Sequence, residues 1–154
     1  MAPRVVTAND VERFLPVQGV LHSEPRGWAV VGVPANFWVV VAPATVDGRL
    51  FDTPVQVRFT PTEYLWEYGD GEVAQTQTPG ASWASLGQEE LTATPTGHVY
   101  AQRGKATVSV RVGYTAEYRV EGGDWVAVQG EVIAPAPPVP MLLVTESTVL
   151  TAAP

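Results

Sequence analysis

The stretch Tyr64-Leu65-Trp66-Glu67-Tyr68 alternates large aromatic residues with other side chains and runs directly into Gly69-Asp70-Gly71. Successive side chains of a strand point to opposite faces, so Tyr64, Trp66 and Tyr68 share one face while Leu65 and Glu67 share the other. Gly69 and Gly71 permit backbone angles that other residues resist, and the Asp70 side chain can hydrogen-bond its own turn. The chain is therefore expected to contain an aromatic-faced strand ending in a tight Gly-Asp-Gly turn.

The rest of the sequence reads as short strands and turns. Thr7 to Phe14 is expected to form a short helical turn, with capping side chains at Thr7 to Asp10, helical spacing at Val11, Phe14 and Leu15, and Pro16 as its stop. Gly27 to Val33 and Phe37 to Val41 read as strands, the second a continuous apolar run, and Trp28 and Trp38 within them are expected to be buried. Val46-Asp47-Gly48-Arg49 reads as a turn, Val55, Val57 and Phe59 as the inner face of a strand, and Thr60-Pro61-Thr62 as the turn into the aromatic strand. Glu72 to Gly97 is a long connection anchored by Trp83 and Leu86, with a helical turn near Ala81 to Leu86. Ala106, Val108, Val110, Val112 and Tyr114 alternate with Thr107, Ser109 and Arg111 as the most regular strand. Tyr118 to Val128 reads as a hairpin about Gly122-Gly123. Ala134 to Pro140 reads as a stiff proline-rich crossing before a last strand at Met141 to Val144, and the tail from Thr148 to Pro154 is expected to fray. This spacing predicts an all-β sandwich.

Composition narrows the partners. Fourteen glycines and fourteen prolines in 154 residues favour turns, and the absence of cysteine removes disulfides, thiolate catalysis and cysteine-based zinc sites. A formal charge of -7 disfavours a nucleic-acid backbone or an anionic membrane surface as partner. No apolar run reaches the roughly 20 residues of a membrane-spanning helix.

The run Trp66-Glu67-Tyr68-Gly69-Asp70-Gly71, followed by His98-Val99-Tyr100, Gly104 and the alternating Thr107 to Val112, resembles the PKD (polycystic kidney disease) domain family, whose hallmark is Trp-x-aromatic-Gly-Asp-Gly and then His-x-Tyr. The resemblance covers roughly 55–144. It implies an immunoglobulin-like antiparallel β-sandwich over 27–145, with extra amino-terminal strands, an extension at 1–26 and a tail at 146–154. It also implies a cell-surface or secreted setting in bacteria. Met1-Ala2-Pro3-Arg4 lacks an apolar signal core, so such a chain is expected to be a mature segment from which a signal has been removed. In the family Trp66 would fill the core, the Asp70 turn would be structural, and His98 and Tyr100 would pack and hydrogen-bond near a strand start.

The residues that could carry chemistry are few. A calcium ion would draw on Asp70 with Glu67, Glu72 or Asp124, since calcium prefers several carboxylate and carbonyl oxygens, but no spacing matches a dedicated calcium loop. His98 and His22 are the only histidines, with no metal-binding spacing and no nucleophile motif, so no catalytic or metal residue is expected. Glu89-Glu90 is the only adjacent acidic pair, and neighbouring positions diverge in a strand, which argues for solvated acids. Trp83 and Trp125 lie outside the motif and are the candidates for an exposed binding surface. The expected function is a non-catalytic structural or adhesive module contacting protein at a cell surface, needing no cofactor. The alternative is a carbohydrate-binding accessory module of a secreted hydrolase system, and no oligomeric state can be read from the sequence.

Overall fold

A computed structural model describes residues 5–16 and 19–146 and shows an all-β protein built on two long antiparallel strands. These are β5 (Thr53–Glu67) and β7 (Gly104–Val120), paired from Val55↔Val120 to Glu67↔Ser109. Each changes partners along its length, which lets one eight-stranded sheet curl. The first half of β5 pairs with β4 (Ala44–Leu50) and the second half with β6 (Val73–Thr76). Along β7, from its end back to its start, come β8 (Val126–Ala127), β9 (Val132–Pro135) and β10 (Val139–Val144). Strand β2 (Trp28–Val30) lies parallel to β10, while β1 (Val20–Glu24) and β3 (Asn36–Val40) form a separate two-stranded sheet.

One irregularity decides which side chains enter the core. On the first half of β5 the odd-numbered Val55, Val57 and Phe59 are buried; on the second half the even-numbered Tyr64 and Trp66 are. Side chains alternate with period two, so this change of parity requires one extra residue. The register supplies it: Pro61 pairs with Tyr114 and Glu63 with Gly113, leaving Thr62 as the bulge. Strand β7 keeps one parity throughout, burying Ala106, Val108, Val110, Val112, Tyr114 and Ala116. Leu21, Phe37 and Val39 from the small sheet and Met141 and Leu143 from β10 join the same core.

Thr60-Pro61-Thr62 is thus a bulge within a continuous strand, where the sequence suggested a turn. Val46 to Arg49 is likewise interior to β4. Gly48 is needed there because the Phe14 ring occupies the space of a side chain: an added Cβ would lie 2.7 Å from Phe14 Cε1. The actual reversal is Phe51-Asp52, both at positive φ, joining Leu50 to its partner Thr53. The proline-rich segment is less of a crossing than expected, since Pro135 ends β9 and Pro140 lies in β10.

Other expectations hold. The first helix, α1 (Ala8–Val11), continues as a 3-10 turn at Glu12–Phe14, capped by reciprocal Thr7 and Asp10 hydrogen bonds. A second, α2 (Trp83–Leu86), lies in the long connection. The hairpin after β7 forms, pairing Tyr118 with Val126. Val20 to Glu24, assigned to an amino-terminal extension, is hydrogen-bonded into the small sheet as β1. Residues 1–4 and 147–154, including the tail expected to fray, lie outside the described residues.

Trp66 is 1% exposed and donates its indole N–H to Thr76 Oγ1 at 2.9 Å. Truncation would leave a large cavity and remove the indole's hydrogen bond to Thr76, whose hydroxyl still donates to the Thr78 carbonyl, so Trp66→Ala is expected to destabilise the fold by about 3–5 kcal/mol in urea denaturation.

Candidate functional site

The end of β5 delivers Tyr68 and Asp70 to a point where the chain returns as His98-Val99-Tyr100. Gly69, at φ +90°, makes the close approach: an added Cβ would stand 2.6 Å from the Thr107 carbonyl oxygen and 2.7 Å from its nitrogen. Asp70 then closes its own turn, Oδ1 accepting the Glu72 N–H at 3.0 Å. Its other oxygen, Oδ2, lies 2.7 Å from His98 Nε2. His98 is fixed by two backbone bonds to Ala35, at 2.9 and 3.0 Å. Its ring lies flat against Tyr68, with centroids 4.3 Å apart and planes 3° apart, and edge-on to Tyr100 at 4.7 Å.

The hydroxyls of this cluster point inward. Tyr68 donates to the Thr96 carbonyl at 3.1 Å, and Tyr100 donates to the Tyr68 carbonyl at 2.7 Å. Thr96 in turn donates to the Phe37 carbonyl, which ties the cluster to β3. Burial pushes the Tyr68 hydroxyl up to about 12. Tyr100 is raised as well, first by burial and then by the nearby Asp70 charge and Tyr68. Desolvation opposes ionisation of Asp70, but the His98 and Glu72 hydrogen bonds and the His98 charge outweigh it and hold its carboxyl below the ordinary value. Outside the pair lies an open hollow of about 410 Å³ lined by Asp70, Glu72, His98, Val99 and Tyr100, among others.

A histidine oriented by a carboxylate is one half of an acid–base apparatus; the other half is a nucleophile within reach. Here the hydroxyls of Tyr68, Tyr100 and Thr96 are donated to backbone carbonyls. The arrangement fastens the Gly-Asp-Gly turn to the segment His98 to Tyr100 that precedes β7.

The remaining motif residues and acids are separated. Gly71, at φ +93°, completes the turn, while Gly104, at φ +139°, starts β7. Glu67 faces Arg111 at 3.9 Å, and Glu72 is exposed beside Asp70. Asp124 lies in the loop after β7, at the opposite end of the β5–β7 ladder, so it does not converge with Asp70. Among the described residues, no three His, Asp or Glu side chains form a group able to hold a metal ion. Glu89 and Glu90 are exposed beyond α2.

The tryptophans require correction. Trp83 is only 3% exposed, with its indole N–H on the Thr92 carbonyl at 2.9 Å and its backbone N–H on Glu24 Oε1 at 2.8 Å, so it offers no surface. Leu86, its expected companion anchor, is exposed. Trp125 is half-buried against the guanidinium groups of Arg58 and Arg119, at 4.1 and 4.6 Å. Trp28 and Trp38, both expected in the core, are partly exposed instead. Strand alternation explains this: their neighbours Ala29 and Phe37 take the inward positions. Trp38 stacks on its cross-strand partner His22, at 5.1 Å and 16°, in an open groove of about 640 Å³ shared with Val20, Arg26, Val139 and Pro140.

Sequence reasoning also missed Asn36, fully buried, which donates to Glu24 Oε1 and the Ala81 carbonyl and accepts from Thr94. Those partners lie 12 to 58 positions away, with no local signature. Comparison with protein-family models finds no match, and comparisons with curated proteins and with solved structures find none either.

Replacing Asp70 by Asn removes a charge-assisted bond and leaves the turn geometry. Because the folded carboxyl titrates below its ordinary value, its stabilisation is present above about pH 4 and is lost as pH falls through the lowered value. Asp70→Asn is therefore expected to cost about 1 kcal/mol at pH 7, with the difference from the parent shrinking as pH falls below about 4 in paired urea titrations.

Proposed function

We propose that the chain is a non-catalytic, PKD-like module of immunoglobulin-like sandwich type, acting in structural support or protein contact at a bacterial surface or in a secreted protein. One observation carries this reading: the motif side chains bind one another. Trp66 fills the core, Tyr68 and Tyr100 hydrogen-bond backbone carbonyls, and His98 and Asp70 form a pair packed on the Tyr68 ring. A chain whose most distinctive residues hold a turn in place is suited to presenting a rigid surface. The cell-surface setting rests on the family resemblance.

A second reading, a carbohydrate-binding accessory module, is favoured by Trp38 in its open groove. A partly exposed indole beside polar side chains is the usual platform for a sugar ring. It replaces Trp83 and Trp125 as the residue on which that reading depends.

Sedimentation of the chain with insoluble polysaccharides, paired with tryptophan fluorescence against soluble glycans, separates the two. The structural reading expects no retention and no spectral change on any glycan. Retention that disappears in Trp38→Ala, with the melting temperature preserved, would replace it by the sugar-binding reading.

A further inference from the structure

The bulge that shifts the parity of β5 also brings together two acids distant in sequence. Glu63 follows the bulged Thr62 on β5, and Glu131 immediately precedes β9; both lie over Gly113 of β7. A Cβ on Gly113 would stand 2.8 Å from Glu131 Cδ and Oε1 and 2.8 Å from Glu63 Cγ, so the two side chains occupy the place of the missing one. Thr62 Oγ1 donates to the Gly113 carbonyl at 3.3 Å and reaches Glu131 Oε2 at 3.5 Å. From β6, Gln75 donates to Glu63 Oε2 at 2.6 Å.

The cations of the neighbouring elements are directed elsewhere. On the same face of β7, Arg111 faces Glu67 of β5 at 3.9 Å. Arg13, from the turn after α1, donates to the backbone carbonyls of Asp10 and Arg49. From β9 the neighbouring side chain is the apolar Ile133. Two acidic side chains crowded over one backbone position without a cation between them share a proton, because both cannot ionise cheaply.

The residues just before Glu131 hold the amino-terminal segment. Ala8 N–H donates to the Gln129 carbonyl at 2.8 Å, and Gln129 N–H donates to the Val6 carbonyl at 2.9 Å. That docking buries Val6 and Val11 in the common core.

We propose that Glu63 and Glu131 form a proton-held clamp: a proton shared between the two carboxyls fastens Gln129–Glu131 to the β5 bulge, and its loss to solvent loosens that segment together with the amino-terminal residues docked on it. The hydrogen bond with Glu63, then desolvation and the Glu63 charge, raise the Glu131 carboxyl to about 7. The sign follows. In the unfolded chain the group loses its proton near the ordinary carboxylate value, whereas the folded chain retains it to about pH 7. The stabilisation is therefore complete in acid and is lost as pH rises through neutrality. The clamp is independent of the function proposed above.

The test uses the full chain, following the side-chain carboxyl carbon of Glu131 by NMR and the exchange protection of the Ala8 and Gln129 amides at pH 5.5 and pH 8. The parent is expected to show Glu131 titrating near neutrality and protection of both amides falling roughly tenfold at pH 8, a discounted value for two partly solvated groups. Glu131→Gln, which mimics the protonated state, is expected to keep the protection at both pH values. Glu63→Gln is expected to return Glu131 to the ordinary carboxylate range. Titration of Glu131 near 4.5 in the parent, protection unchanged between the two pH values, or a pH response that survives in Glu131→Gln would each overturn the clamp.

Discussion

The fold depends on the antiparallel ladder between β5 and β7, and on the single residue by which one of them is longer than its partner. Unbroken alternation would give both strands one inward face from end to end. Strand β7 behaves that way, but β5 buries odd positions before Thr62 and even positions after it. Without the bulge, either Val57 and Phe59 or Tyr64 and Trp66 would face solvent. The extra residue lets the strand serve β4 on one half and β6 on the other with apolar side chains inward throughout. A local increase in twist accompanies such bulges, consistent with the curl of the sheet.

The aromatic cluster follows from that placement. With even positions inward, Trp66 and Tyr68 stack along the core, their planes 5° apart, and Tyr68 reaches the segment that returns through Thr96 and His98. A buried tyrosine hydroxyl requires an acceptor, and backbone carbonyls meet that requirement twice here. The Asp70–His98 pair sits at the rim of this cluster, half-shielded, joining two loops that the strands alone would leave unconnected. The same bulge sets Glu63 against Glu131, so core alignment and the carboxyl contact have a common origin.

Much of this was legible where the pattern is local. The aromatic alternation, the Gly-Asp-Gly turn, the β7 strand and the Gly-Gly hairpin each carry their signal within a few residues, and each is found. Parity across Thr60-Pro61-Thr62 was misread because proline in a polar triplet signals a turn as well as a bulge. Val46 to Arg49 failed for a related reason: Asp-Gly is a turn signal, yet Gly48 is fixed by the Phe14 ring 34 positions earlier, while Phe51-Asp52 turns without glycine. The tryptophans show the limit most directly. Trp28 and Trp38 sit in apolar runs that hide which residue faces inward, and Trp83 sits in a polar segment but is enclosed by Glu24 and Thr92, distant in the chain. Burial of a single residue in such contexts is a property of tertiary contacts.

Thr62 matters as a residue in the count more than as a side chain. Thermal denaturation of a Thr62 deletion beside Thr62→Ala tests it directly. The alanine variant keeps the bulge and loses only weak hydroxyl contacts, so it is expected to melt cooperatively at a cost of about 1 kcal/mol. The deletion forces one half of β5 to turn its core residues outward and is expected to abolish the cooperative transition. A deletion variant that melts cooperatively within about 2 °C of Thr62→Ala, a shift that corresponds to at most about 1 kcal/mol, would show instead that the residue count of β5 is not what aligns its core face.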